Sequence, residues 1–332
     1  MTHPLLDRAQ VGVVSARQAL RDADAELRRG TTAGLWPTGF ATLDGHLGGG
    51  LHAGDLALLA GPQGIGKTTM ALQMARSVCA AGGDAVYVCF EHTPAQLVEK
   101  LLVMEAALAA GPAAASQEEL SHRLTGGGTG LEDTVSGLPG ATEALNALEE
   151  YGDRLLLVAA RGDATGLDDV RGAAASAGRP ALVVVDYLQK VHAGDVPDED
   201  VRVGRIATAL KDLALELSCP VLAVTAVDRE GLDSRRIRAR HLKGSITLAY
   251  EADVILVLQD KYNVVARHHL VYDVGAGQEH HRWLVCTVEK NRHGQDQVAV
   301  ELRKRLSHGH FDPHARVVEE ELVDERLHIS ES

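Results

Sequence analysis

Aromatic residues are scarce in this chain: three Phe, two Trp and six Tyr among 332 residues. That is too few for a stacking platform that would grip a single strand through its bases. Net charge is -13, so the molecule as a whole lacks the basic surface of a general nucleic-acid binder. No apolar run approaches the ~20 residues of a membrane helix, which argues against a membrane span and a membrane partner. The N-terminus, MTHPLLDRAQ, has no basic segment followed by an apolar one and does not read as a signal peptide. Cys79, Cys89, Cys219 and Cys286 lie far apart, show no CxxC spacing, and three sit in or beside apolar runs. They read as reduced, buried thiols of a cytoplasmic protein rather than as disulfides or zinc ligands.

What is present suits a sizeable core. Hydrophobic residues make up 45%, and a chain of this length buries roughly three quarters of its unfolded surface. Residues 4–29 carry Leu5, Leu6, Val13, Val14, Leu20 and Leu27 among charges, a pattern that fits a short amphipathic N-terminal helix. Apolar runs then alternate with helical patterns. Strands are expected at 56–60, 85–90, 154–159, 181–186, 221–225, 254–258, 284–289 and 298–302, with helices at 68–81, 94–110 and 203–218. Wholly apolar strands separated by helices predict an α/β fold with a mostly parallel central sheet covered on both faces. The shorter connections late in the chain predict antiparallel edge strands. Residues 111–150 read as a helical surface excursion with a flexible glycine stretch, and the acidic tail from Val317 as frayed.

The strongest motif is Gly61-Pro62-Gln63-Gly64-Ile65-Gly66-Lys67-Thr68, a full GxxxxGK[ST] between an expected strand and an expected helix. A chance match in a chain this long is on the order of one in a hundred. Such a loop turns backbone N–H groups toward phosphates at a helix N-terminus. Lys67 would reach the β- and γ-phosphates, Thr68 would ligate Mg²⁺, and Thr69 completes the loop. The run Ala181-Leu-Val-Val-Val-Asp186 describes a buried strand delivering a carboxylate at its tip, the second metal-associated acid such a loop requires. A second strand, Val86-Tyr-Val-Cys-Phe-Glu91, ends in an acid able to orient and deprotonate water.

The series TGFATLD (38–44), GPQGIGKTTMAL (61–72), VCFEHT (88–93), VVVDYLQ (183–189) and VEKNRHG (288–294) resembles the RecA-like ATPase domain of DnaB-type replicative helicases. Order and spacing agree over residues 35–312, and DYLQ and KNRHG separate this group from RecA, KaiC and RadA relatives. The resemblance implies a RecA-like P-loop domain over 35–316, between an N-terminal linker helix or tail (1–34) and the acidic C-terminal tail (317–332). It implies ATP and Mg²⁺ as cofactors and a homo-oligomeric ring, usually of six subunits, with ATP at each boundary. Single-stranded DNA and a helicase loader or other replication or recombination protein are the partners it implies. Glu91 matches the family's catalytic base, while Lys290 and Arg292 match the pair projected into a neighbour's ATP site.

A local basic run, Arg235-Arg236-Ile-Arg238-Ala-Arg240-His-Leu-Lys243, sits where the family carries a pore loop, and its cations are candidates for phosphate contacts to DNA. Three departures are visible. Ala226 stands where relatives carry a phosphate-sensing Gln; the loop reads Leu242-Lys-Gly-Ser-Ile-Thr247; and about 34 residues precede the core, too few for a primase-engaging domain. Two further readings therefore remain open: a regulatory or recombination-mediator ATPase of the KaiC/RadA kind, or a degenerate DnaB paralogue serving as a nucleotide-dependent assembly module. Adjacent histidines at 268–269 and 280–281 lack the ligand spacing of a zinc site and read as exposed loop residues.

Overall fold

The computed structural model describes residues 14–28, 34–125, 130–266 and 278–323. The chain runs α1 (Ala16–Arg28), β1 (Leu35–Trp36), α2 (Ala41–His46), β2 (Leu51–His52), β3 (Leu56–Ala60), α3 (Lys67–Ala80), β4 (Ala85–Cys89) and α4 (Pro94–Ala110). It continues through α5 (Gln117–Thr125), α6 (Leu131–Val135), α7 (Ala141–Tyr151), β5 (Leu155–Ala159), α8 (Leu167–Ser176) and β6 (Leu182–Asp186). Then follow α9 (Glu199–Leu217), β7 (Val221–Thr225), α10 (Arg229–Asp233), α11 (Ser245–Glu251), β8 (Val254–Asp260) and α12 (Lys261–Val264). The last elements are β9 (Trp283–Asn291), β10 (Val298–Arg305), β11 (His310–Phe311) and β12 (Arg316–Val317).

Ten strands form one sheet in the order β11-β10-β9-β8-β3-β7-β6-β4-β5, with β12 on β10. The five pairings among β8, β3, β7, β6, β4 and β5 are parallel. Those of β8 with β9 and of β10 with β9, β11 and β12 are antiparallel. Every residue of β3, β4, β6 and β7 is buried, which explains why these strands read as unbroken apolar runs. One face of the sheet packs under α3 and the other under α8, α9 and α11.

Residues 111–151 are more ordered than a surface excursion: α5, α6 and α7 fold back on α4 around a small core of Leu102, Leu120, Val135 and Ala144. Glu105 anchors that layer, taking a bidentate bond from Arg76 (2.6 and 2.7 Å) and another from the Tyr151 hydroxyl (2.7 Å). The expected glycine stretch lies mostly outside the described residues. The tail differs in part from expectation: residues 317–323 are docked rather than frayed, and residues 324–332 lie outside the described residues. Lys261, 1% exposed, pairs with Glu301 and with Glu320 (2.6 Å), and Val323 N–H donates to the Val264 carbonyl (2.8 Å). A buried ammonium demands such partners. All four cysteines are free and buried, and burial pushes the thiols of Cys79, Cys219 and Cys286 up to about 12. Among the described residues no helix is long and apolar enough to cross a membrane.

Candidate active site

The carboxyl ends of the parallel strands open into a cavity of about 550 Å³, the usual ligand position in such sheets. Gly61, Gln63, Gly64, Gly66, Lys67, Thr68 and Thr69 line it, with Glu91, Asp186 and Ala226 opposite. Pro62 contributes a carbonyl to the loop, and Ile65 packs against the core. Two glycines are required by geometry. Gly66 has φ +102°, and a Cβ there would meet Phe311 at 2.6 Å; Gly61 has φ +156°, and a Cβ would meet the Leu258 carbonyl at 2.6 Å.

The Lys67 ammonium donates to the carbonyls of Gly61 (2.8 Å) and Pro62 (2.9 Å). Burial lowers its pKa, against the attraction of Asp186 and Glu91. Asp186 is 1% exposed. Burial raises its pKa, hydrogen bonds from Thr68 and Tyr87 lower it, and the nearby Glu91 raises it again. A buried carboxylate beside a hydroxyl and a second acid forms a hard-oxygen donor set, and it fits a divalent cation.

Tyr87 is the site residue that sequence reasoning missed. Its hydroxyl donates to Asp186 Oδ2 at 2.9 Å from the neighbouring strand, and the ring is fully buried. The available signal was a single hydroxyl in the otherwise apolar run AVYVC. Gln189 was also passed over as an individual residue. Its buried amide donates to Thr225 Oγ1 (2.7 Å) and accepts from Ala226 N–H (3.2 Å), tying the end of β6 to that of β7 directly behind the cavity.

Lys290 and Arg292 lie at the opposite end of the sheet. Antiparallel pairing sets Lys290 against Ile255 and Asn291 against Val254, at the start of β8. Arg292 Nη1 reaches Asp253 Oδ1 at 3.1 Å, and the Lys290 ammonium donates to the carbonyls of Ala249 (2.7 Å) and Tyr250 (3.3 Å). Asn291 donates to the His46 carbonyl (2.8 Å), and His293 pairs with Asp55 just before β3. Five residues of β3, roughly 16 Å of strand, separate this cluster from the loop that follows Ala60. No side chain spans that gap within one chain.

The basic run is not a row of free cations. Arg238 pairs with Glu289 at 3.0 Å, Lys243 with Glu199 at 2.8 Å, and Arg236 Nη1 donates to the Val323 carbonyl at 3.3 Å. Arg240 Nε lies 3.1 Å from His241 Nε2, yet Arg240 is exposed, as is Arg235. Among the described residues no cluster of three or more His, Cys, Asp or Glu could hold a metal on its own. The pair 268–269 lies outside the described residues, and His281 stacks on Tyr262 with ring centroids 4.1 Å apart.

A family model described as an AAA domain matches residues 24–231, and one described as the DnaB-like helicase C terminal domain matches residues 152–312. The chain is 27% identical over 228 residues to the replicative DNA helicase DnaB of Leifsonia xyli subsp. xyli, a match covering 67% of this chain and 46% of that protein. It is 44% identical over 62 residues to the DNA repair protein RadA of Mycolicibacterium smegmatis, covering 19% of this chain and 13% of that one. A solved structure of a DnaB-like replicative helicase, described together with its interactions with primase, superposes with a TM-score of 0.68 at 19% identity. That match covers 90% of this chain and 67% of the other. The likeness shows a shared RecA-like fold, with the parallel sheet and antiparallel edge expected from the sequence. The chain spans about half or less of the DnaB relatives it matches.

Proposed function

Because the chain belongs to the AAA-domain family and its second half matches the DnaB-like helicase C terminal domain, we propose that it is a Mg-ATP-dependent ring motor. In this reading it hydrolyses ATP between subunits and moves along single-stranded DNA. The observation that carries this reading is the separation of two half-sites on one sheet. The phosphate loop, Glu91 and Asp186 converge at one end, while Lys290 and Arg292 sit at the other. Phosphoryl transfer requires cations against the γ-phosphate, and these two reach such a site only in a neighbouring copy.

Within one copy, backbone N–H groups of residues 61–68 would cradle the phosphates, and Lys67 would swing from its carbonyl partners to the β- and γ-oxygens. Thr68 and Asp186 would hold Mg²⁺, which when bound neutralises charge on those oxygens. Glu91 would take the proton of the attacking water. Tyr87 keeps the inner oxygen of Asp186 hydrogen-bonded and so fixes the carboxylate's orientation. Exposed cations of the basic run, Arg235 and Arg240 foremost, would contact DNA phosphates, with Arg236, Arg238, Arg240 and Lys243 doing so by exchanging their present partners.

The test mixes two inactive chains. Arg292→Ala subunits combined with Glu91→Gln subunits create some boundaries with both intact groups, so the mixture should hydrolyse ATP where neither chain alone does. Silence in mixtures shown to co-assemble would refute a site shared between subunits. Ala226 favours a second reading, a nucleotide-switched regulator of the RadA or KaiC kind, because a methyl group cannot sense phosphate. ATPase activity that is indifferent to single strands, with no unwinding of a forked duplex, would select it.

A further inference from the structure

The C-terminal segment closes over one end of the basic run. It leaves the sheet at β12, where Arg316 and Val317 pair with Glu301 and Val300 of β10, and Val318 N–H still donates to the Ala299 carbonyl (3.1 Å). Three successive glutamates follow, Glu319, Glu320 and Glu321. The chain then runs beside the end of α12. Ala266 N–H donates to the Glu321 carbonyl (2.9 Å) and Val323 N–H to the Val264 carbonyl (2.8 Å), with Leu322 opposite Val265 between those two bonds. Val323 is buried, and its carbonyl accepts from Arg236 Nη1 at 3.3 Å. An extended, acidic piece of this chain therefore holds a cation that a DNA phosphate would need.

The fold allows that piece to leave. Its Glu320 pairs with the buried Lys261, but Lys261 also pairs with Glu301 of β10, itself 2% exposed. Departure of Glu320 thus leaves no buried ammonium without a carboxylate, the costly outcome for an interior charge. Short segments near a chain end are also among the cheapest parts of a fold to open. Arg238 is placed differently, because its partner Glu289 is 7% exposed and belongs to β9, a strand inside the sheet. Arg236 gains on exchange: it gives up a neutral carbonyl for a phosphate, and charge-assisted bonds from a guanidinium are roughly twice as strong as neutral ones.

We propose that residues 318–323 form an autoinhibitory strap. Docked, the strap keeps Arg236 on a backbone carbonyl, with three glutamates leading up to that contact. Single-stranded DNA displaces it and takes the guanidinium onto a phosphate. This rests on the reading of the basic run as a phosphate-binding surface, and adds a control over how much of that surface is open.

A disulfide across the strap tests this within one protein. Val265 and Leu322 form an antiparallel pair that exchanges no hydrogen bond, a geometry with Cα atoms about 4.5 Å apart, inside the roughly 4.4–6.8 Å that a disulfide spans. The four native cysteines are buried, so mild oxidation of the Val265→Cys/Leu322→Cys chain acts on the new pair. Oxidised, this chain should bind a single-stranded oligonucleotide at least about threefold more weakly than when reduced. Its slope of log K against log salt should be shallower by about 0.7, the share of one phosphate contact. Adding Arg236→Ala should weaken binding by the reduced chain and leave the oxidised one nearly unchanged, since the locked strap has already withdrawn that cation. The Leu322→Gly/Val323→Gly chain, whose strap is loosened at unchanged charge, should bind more tightly than the unmodified chain. ATP hydrolysis without DNA should be alike in the oxidised and reduced forms, because neither altered side chain lines the nucleotide cavity.

Equal affinity and slope in the two redox states, with the disulfide verified by mass, overturns the strap and leaves DNA binding by the run in place. A Leu322→Gly/Val323→Gly chain that binds no more tightly than the unmodified one overturns it as well. Binding that emerges only when the strap is loosened supports it in its strongest form. If every form fails to hold single strands, the loosened chain included, the DNA-binding reading falls and the strap falls with it.

Discussion

The phosphate loop and the basic run are both short, charged stretches that follow a parallel strand, yet the fold treats them differently. In the loop, three glycines at positive φ, a helix N-terminus and one ammonium all converge on the same cavity. In the run, Arg238 meets Glu289 from β9, Lys243 meets Glu199 from α9, and Arg236 meets the C-terminal segment. The loop's chemistry is set by backbone geometry within eight residues. The run's chemistry is set by acceptors 44 to 87 positions away. A local motif can therefore be read as a site, whereas a charge run has to be read together with whatever the fold brings against it.

The largest expected effects belong to the loop end. Lys67→Ala should lower ATP turnover at least about a hundredfold and weaken nucleotide binding, as measured by steady-state hydrolysis and by titration with a fluorescent analogue. Near-normal turnover would remove the loop from the chemistry. Glu91→Gln should cost a similar factor, roughly 10²–10⁴, but leave nucleotide affinity unchanged, because the amide keeps the shape and cannot accept the proton. Loss of binding in a folded Glu91→Gln chain would mean that the carboxylate holds the nucleotide rather than the water.

This contrast also marks how far the sequence could be read. Strands β3 and β7 fall where their apolar runs predict, and α4 begins at Pro94 because Thr93 and Gln96 form a reciprocal cap. Asp186 was legible because a buried strand ending in an acid is a local pattern. Tyr87 was not, since its role exists only once β4 pairs with β6 and sets Cys89 against Asp186. The tie between Arg238 and Glu289 was hidden for a related reason. A register shift between Ile255 and Leu256 leaves Glu289 without a partner across β8, and such irregularities re-aim a side chain. No periodicity in the sequence announces it. The docked tail depends likewise on Lys261, whose burial creates a need for Glu301 and Glu320.

Within the run, stability should separate members that look equivalent in the sequence. Arg238 is 21% exposed and its partner Glu289 7%. Removing the guanidinium leaves that carboxylate with the Ala239 N–H at 3.2 Å as a remaining donor. Arg238→Ala should therefore cost about 2 kcal/mol, below the full penalty of orphaning a buried charge, and lower the melting temperature by several degrees. Arg235→Ala, at an exposed position, should leave the melting curve within about 0.5 kcal/mol of the unmodified chain. Equal melting curves for the two variants would mean that the pair with Glu289 contributes nothing.

The smallest effect is also the one that best sharpens the comparison, because it asks which cations can meet a phosphate. Each Lys or Arg that neutralises a single-strand phosphate contributes about 0.7 to the slope of log K against log salt. Replacing Arg235 and Arg240 together should flatten that slope by roughly 1.4, twice the contribution of one contact. The loss should be alike for different base sequences, since phosphate contacts position without specifying. Arg238→Ala should change the slope far less, because its guanidinium is already neutralised by Glu289. With so few aromatic residues, stacking has little capacity to mask either change. Basal ATP hydrolysis should persist in the Arg235→Ala/Arg240→Ala chain, whose altered side chains do not line the nucleotide cavity. An unchanged slope in that chain would reduce the run to a solvated loop. A slope that instead flattens on losing Arg238 would mean that the Glu289 pair opens for DNA, making β9 part of the strand-binding surface.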